Sequence, residues 1–197
     1  SHLKEQFVFC SQDGSFHFYV VENSQVGKST AMTDVDLGLG TVNCLTWKGQ
    51  HIITGDGNGK LSCFNLEKMK MSVVNTGGGY IKRLRLSPSK NNRHVLTLFE
   101  NGEFGIWEWE TNTSTFVRLA NSSYYQSRSL NAIDLDWMSE FNPVIATTDG
   151  CVRITDRTLS QGSNGPIRLT ADSYPLSCPL ILPHIQSATL KALLLGL

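Results

Sequence analysis

One tight turn, used four times, constrains this chain more than any other feature. It runs from a polar residue and a glycine into an alternating strand: Asp13-Gly14-Ser15-Phe16-His17-Phe18-Tyr19, Asn58-Gly59-Lys60-Leu61-Ser62-Cys63-Phe64, Asn101-Gly102-Glu103-Phe104-Gly105-Ile106-Trp107 and Asp149-Gly150-Cys151-Val152-Arg153-Ile154-Thr155. The turn glycines lie 45, 43 and 48 residues apart. Asp-Gly or Asn-Gly between apolar runs makes a hairpin, because glycine accepts the positive φ that the turn demands. One such turn in every unit of this period is the sequence pattern of a four-stranded propeller blade.

Aligned on the turn glycine, the apolar positions superpose. Two residues on stand Phe16, Leu61, Phe104 and Val152; four on stand Phe18, Cys63, Ile106 and Ile154. A spacing of two puts both on one face of a strand, the face a blade buries against its neighbour. Five residues on, on the opposite face, come Tyr19, Phe64, Trp107 and Thr155, and two strands earlier Trp47, Leu86 and Trp137 share a register.

The strands read in order as hairpin 6–20, a weakly alternating stretch 22–36, and then three better-defined units. In the second unit the strands lie at 42–47, 51–54 and 60–66, with an outer strand from 69 to 74. In the third they lie at 81–86, 94–99 and 104–109, with an outer strand at 115–119. In the fourth they lie at 132–137, 144–147 and 151–156, after a looser connection at 121–131. A last strand is expected near 167–169. The fold class is therefore all-β: an incomplete propeller of about four blades over 1–174, followed by a proline-punctuated, extended or helical tail over 175–197. The chain opens on Ser1 with a strand almost at once, and this leads to the expectation that it is part of a larger ring. The first and last blades should then expose apolar faces.

Composition excludes several classes. Formal net charge is zero, so there is no global electrostatic footprint for nucleic acid. The aromatic residues fall at core spacing and not on a stacking platform. No run of about 18 apolar residues is present to span a membrane. The cysteines at 10, 44, 63, 151 and 178 form no CxxC pair and read as reduced thiols of a cytoplasmic protein. The sequons at Asn112 and Asn121 are of the kind chance supplies.

Charge is nonetheless uneven. Residues 60–93 carry eight basic side chains and one acid, Glu67, a net of +7, which leaves −7 for the rest. Lys82, Arg83, Arg85, Lys90 and Arg93 are the candidate partner-binding residues, suited to an acidic peptide segment because guanidinium pairs bidentately with carboxylate. The competing reading is a set of ordinary solvated residues, since Arg83 and Arg85 alternate with Leu84 and Leu86. Gly55 to Lys60 resembles a phosphate loop only superficially, because Leu61 follows the lysine and the stretch joins two strands. His51 and His94 each open the same strand in successive units, and Asp134 and Asp136 read as outward-facing strand residues. No catalytic, metal-binding or cofactor-binding residue is expected, and no cofactor.

The period typifies the WD-repeat type of propeller, although neither the Gly-His nor the Trp-Asp dipeptide occurs. Trp107-Glu108, Phe64-Asn65 and Thr155-Asp156 stand where Trp-Asp would, so the hydrogen-bonded tetrad of typical blades is not expected in full. Three segments together resemble the WD repeat-containing protein 11 family: IKRLRLSPSKNNRHVLTLFENGEFGIWE (81–108), AIDLDW with DGCVRI (132–137 and 149–154), and CPLILPHIQSATLKALLL (178–195). The unit CLTWKGQHIITGDGNGKLSCFNL (44–66) fits the same family. The resemblance implies part of the second of two propellers, running into a C-terminal helical region. It also implies a non-enzymatic scaffold of endosome-to-trans-Golgi vesicle trafficking, with links to Hedgehog signalling and cilia, located in the cytoplasm at Golgi vesicles. Expected partners are other proteins, among them an acidic peptide segment, and the remaining blades of the same parent chain. A substrate-receptor propeller of a ubiquitin ligase and a propeller enzyme are the alternatives.

Overall fold

The computed structural model describes residues 5–11, 14–29, 35–36, 41–89, 91, 93–110, 115–160 and 167–168. Four antiparallel sheets follow one another along the chain. The first holds β1 (Glu5–Cys10), β2 (Ser15–Glu22) and β3 (Gln25–Lys28), with β4 (Val35–Asp36) also paired to β2. The second runs β5 (Val42–Lys48), β6 (His51–Asp56), β7 (Lys60–Asn65) and β8 (Lys70–Asn75) in spatial order. The third repeats this with β9 (Ile81–Leu86), β10 (His94–Phe99), β11 (Phe104–Trp109) and β12 (Phe116–Asn121). A one-turn helix α1 (Ser123–Gln126) leads to the fourth, of β13 (Ala132–Trp137), β14 (Pro143–Thr147), β15 (Cys151–Ile154) and β16 (Ile167–Arg168).

These are four WD-type propeller blades, and the sheets do not close into a ring. The looser connection at 121–131 contains α1, which the strand pattern did not disclose. The boundary at 174/175 and the tail after it lie outside the described residues.

The turn glycines do what their position requires. Gly14, Gly59, Gly102 and Gly150 have φ of 87°, 77°, 82° and 74°. At Gly59 an added Cβ would also lie 2.7 Å from the carbonyl oxygen of Gly79, so conformation and space both demand glycine.

The two faces of each sheet pack as the register implies. Phe16 and Phe18 meet Ile52 and Phe64 of the second sheet. Leu61 and Cys63 then meet Leu84, Val95, Phe99 and Trp107 of the third, and Phe104 and Ile106 meet Leu135, Trp137 and Ile145 of the fourth. Positions two and four after the glycine thus face the next blade, and position five faces the previous one. Most of the folding free energy lies in these three interfaces, because a single sheet has no other cover for its apolar side chains.

The end sheets differ from each other. On the first, Phe7 and Phe9 are 39% and 44% exposed, and both rings stack on Tyr19 with centroids 5.4 Å apart. That open apolar face matches the expectation for a first blade. The fourth sheet departs from it: Val144, Ala146 and Val152 are buried in a cluster with Met138 and Ile154.

Only part of the expected tetrad forms. Trp107 Nε1 donates to Thr97 Oγ1 at 3.1 Å inside the third blade. The fourth blade uses another device, in which Arg153 pairs with Asp149 at 2.6 Å across the turn.

Candidate functional site

Antiparallel order sorts the connections to two ends of the blades. One end carries the glycine turns and the links between sheets. The other carries the loops between β5 and β6, β7 and β8, β9 and β10, β11 and β12, and β13 and β14. Strand β9 crosses from the first end to the second, so the five candidate basic residues do not form one surface. Lys82 lies exposed near its start, whereas Arg93 lies exposed beyond its end, just before β10. Lys90 lies outside the described residues.

Arg83 and Arg85 face the fourth sheet. The Arg83 guanidinium pairs with Asp134 at 2.7 Å, and Asp134 is 1% exposed. Arg85 stands 3.8 Å from Asp136. Trp137 Nε1 donates to the carbonyl oxygen of Arg85 at 2.9 Å, closing the same junction. The expectation that Asp134 faces outward is therefore corrected: Asp134 is buried on β13, the end strand of its sheet, where Arg83 of β9 pairs with it. Burial raises the Asp136 carboxyl above its ordinary value, opposed by the Trp137 N–H and by Arg85. These four side chains hold two blades together, a role no spacing within one strand could reveal.

The remaining basic residues gather at the second end, between the second and third blades. Lys48 reaches across to donate to the carbonyl oxygens of Ser87, at 3.1 Å, and Ser89. Its ammonium also lies 5.9 Å from the ring centre of Trp109. The Asn65 amide donates to His51 Nε2 at 3.1 Å. Burial lowers the pKa of His51, and the nearby positive charges of Arg93 and Lys68 lower it further. The Trp109 Nε1–H, on a residue 3% exposed, has no acceptor among the described residues. Cations and an unsatisfied donor thus share this rim. Sequence reasoning found Arg93 but missed Lys48, His51 and Trp109, which a count of charge along the chain does not bring together.

The apparent phosphate loop is a hairpin turn. Asp56 Oδ1 accepts from the backbone N–H of Asn58 at 2.9 Å and of Lys60 at 2.7 Å, so the turn's own donors are directed inward. Among the described residues no group of three His, Cys, Asp or Glu could hold a metal ion, and no helix is long and apolar enough to cross a membrane. Burial pushes the thiols of Cys44 and Cys63 up to about 12, which leaves them inert.

No protein-family model matches the chain. Among curated proteins it is similar to WD repeat-containing protein 11 of zebrafish, at 30% identity over 98% of the chain. It is 26% identical to the human and mouse proteins over the same share. The chain spans 15% of the length of these relatives. The resemblance carried by three segments and the unit 44–66 therefore extends over nearly the whole chain. Among solved structures, Sqt1 from Chaetomium thermophilum matches 95% of the chain and 49% of its own, with a TM-score of 0.67 and 14% identity. The Cps50 (Swd1) β-propeller domain of Myceliophthora thermophila matches 83% of the chain and 55% of its own, with a TM-score of 0.60 and 13% identity. At these identities the two structures establish the fold alone.

Proposed function

We propose that this chain is a non-enzymatic protein-interaction platform within a larger trafficking scaffold, and that its second rim receives an acidic segment of a partner protein. The observation that carries the reading is the cluster of Lys48, His51, Arg93 and Trp109 where two blades meet. It offers the cations Lys48 and Arg93, which pair with a carboxylate, beside a buried N–H that has no acceptor among the described residues. Lys82 adds positive charge at the opposite end, and Arg83 and Arg85 act indirectly by fixing the blades. Lys90 is a candidate contact on its charge and sequence position alone. Similarity to WD repeat-containing protein 11 supports work in endosome-to-trans-Golgi vesicle trafficking, with a link to Hedgehog and ciliary signalling, at the cytoplasmic face of Golgi vesicles.

The test is a pulldown with the full-length protein from cell lysate, comparing the wild type with Arg93→Glu. Stoichiometric partners with acidic segments, captured at low salt and lost at high salt and in the variant, support the reading. Capture unchanged by salt or by charge reversal overturns it, because rim ion pairs are screened within about 8 Å at physiological ionic strength.

A further inference from the structure

The groove between the third and fourth blades has the opposite chemistry. It encloses about 850 Å³, and its wall includes His94, Glu108, Leu119, Tyr124, Asp156 and Arg157. His94 and Glu108 are cross-strand partners on β10 and β11, so register alone sets carboxylate beside imidazole. His94 is 4% exposed, its ring stacks on Trp137 with centroids 6.5 Å apart, and its Nδ1 has no hydrogen-bond partner among the described residues. Burial lowers its pKa, the largest influence on it, so the ring is neutral near pH 7 and one nitrogen is an acceptor.

The other charged groups at the groove are already engaged. The Asp156 carboxylate accepts from the Thr158 backbone N–H at 2.8 Å and from its hydroxyl at 2.5 Å. The Arg157 guanidinium lies over Phe141 at 5.0 Å, and that of Arg128 lies over Tyr124 at 3.9 Å. Glu108 is half-buried and, among the described residues, makes no ion pair. A half-buried carboxylate beside a buried imidazole calls for a cationic donor. A guanidinium presents five N–H groups in a planar fork and can serve both acceptors at once. Leu119, 42% exposed, offers apolar cover for an aliphatic stem. Strand β12 is the outermost of its sheet, so an extended segment also finds backbone groups along its edge.

We infer that this groove is a second docking site, taking an extended segment of a partner protein that inserts an arginine between the third and fourth blades to bond Glu108 and His94 Nδ1. The inference goes beyond the acidic-segment rim and stands on separate residues.

The experiment uses the 197-residue chain and fluorescence anisotropy with a labelled peptide alternating serine and arginine. Its citrulline counterpart keeps the shape and removes the charge. The arginine peptide is expected to bind, the citrulline peptide to bind about tenfold or more weakly, and Glu108→Gln to impose a similar loss. Far-UV circular dichroism of Glu108→Gln should match the wild type, because the substitution preserves size on a half-exposed strand position. Arg93→Glu should leave this affinity unchanged, which separates failure here from failure of the rim. Absence of binding, equal binding of the citrulline peptide, or full affinity in Glu108→Gln each overturns the inference.

Discussion

Replacing Arg83 with methionine tests how the third and fourth blades are joined. The substitution keeps an unbranched apolar stem but removes the cation that lies 2.7 Å from the Asp134 carboxylate, which is 1% exposed. Breaking a buried pair from one side costs roughly 3–5 kcal/mol, chiefly the desolvation of the charge left behind. Arg83 is 29% exposed and the Leu135 N–H still donates to Asp134 at 2.8 Å, so the lower end, about 3 kcal/mol, is expected. With a urea m-value of about 2 kcal/mol/M, the midpoint falls by about 1.5 M. Tryptophan fluorescence can follow the transition, because Trp137 bonds the Arg85 carbonyl at the same junction. The double variant Arg83→Met with Asp134→Leu should recover at least half the loss, since an apolar pair carries no stranded charge. A loss below about 1 kcal/mol in the single variant, or a double variant no better than the sum of its parts, would refute the reasoning.

Four further outcomes follow from local geometry. Gly59→Ala should destabilise by about 2 kcal/mol or more in the same urea assay, because φ is +77° and the new methyl would meet the Gly79 carbonyl; Gly27→Ala, with open space around it, is the control. The hydrogen bonds from Arg153 hold the Asp149 carboxyl well below the usual carboxylate range. Its contribution is therefore complete above the unfolded value of about 4 and lost as pH falls below it, and Asp149→Asn should flatten that part of the stability–pH curve. Burial lowers His51 and His94, so their contribution is full above about pH 6.5 and declines as pH falls, a separate step that His94→Gln should reduce. In native protein, iodoacetamide at neutral pH should label Cys10 before Cys44 and Cys63, whose thiols burial pushes up to about 12; equal labelling by mass spectrometry would contradict that.

The repeat was legible because its causes are local. Gly59 and Gly102 mark turns through a backbone conformation only glycine adopts freely, and a side-chain period of two then fixes which residues face each neighbour. Leu61, Phe104 and Trp107 could be assigned to faces from the sequence for that reason. Charge obeyed no such rule. Arg83 and Arg93 belong to one basic run, yet β9 carries one into a junction with Asp134 and leaves the other on a rim beside His51. Likewise His94 and Glu108 are separated by a whole hairpin and become neighbours only through antiparallel register. Strand conformation follows from short-range sterics and alternation, which the sequence carries by itself. Whether a charge is paired, buried or offered to a partner depends on what another blade sets against it, and only the tertiary structure decides that.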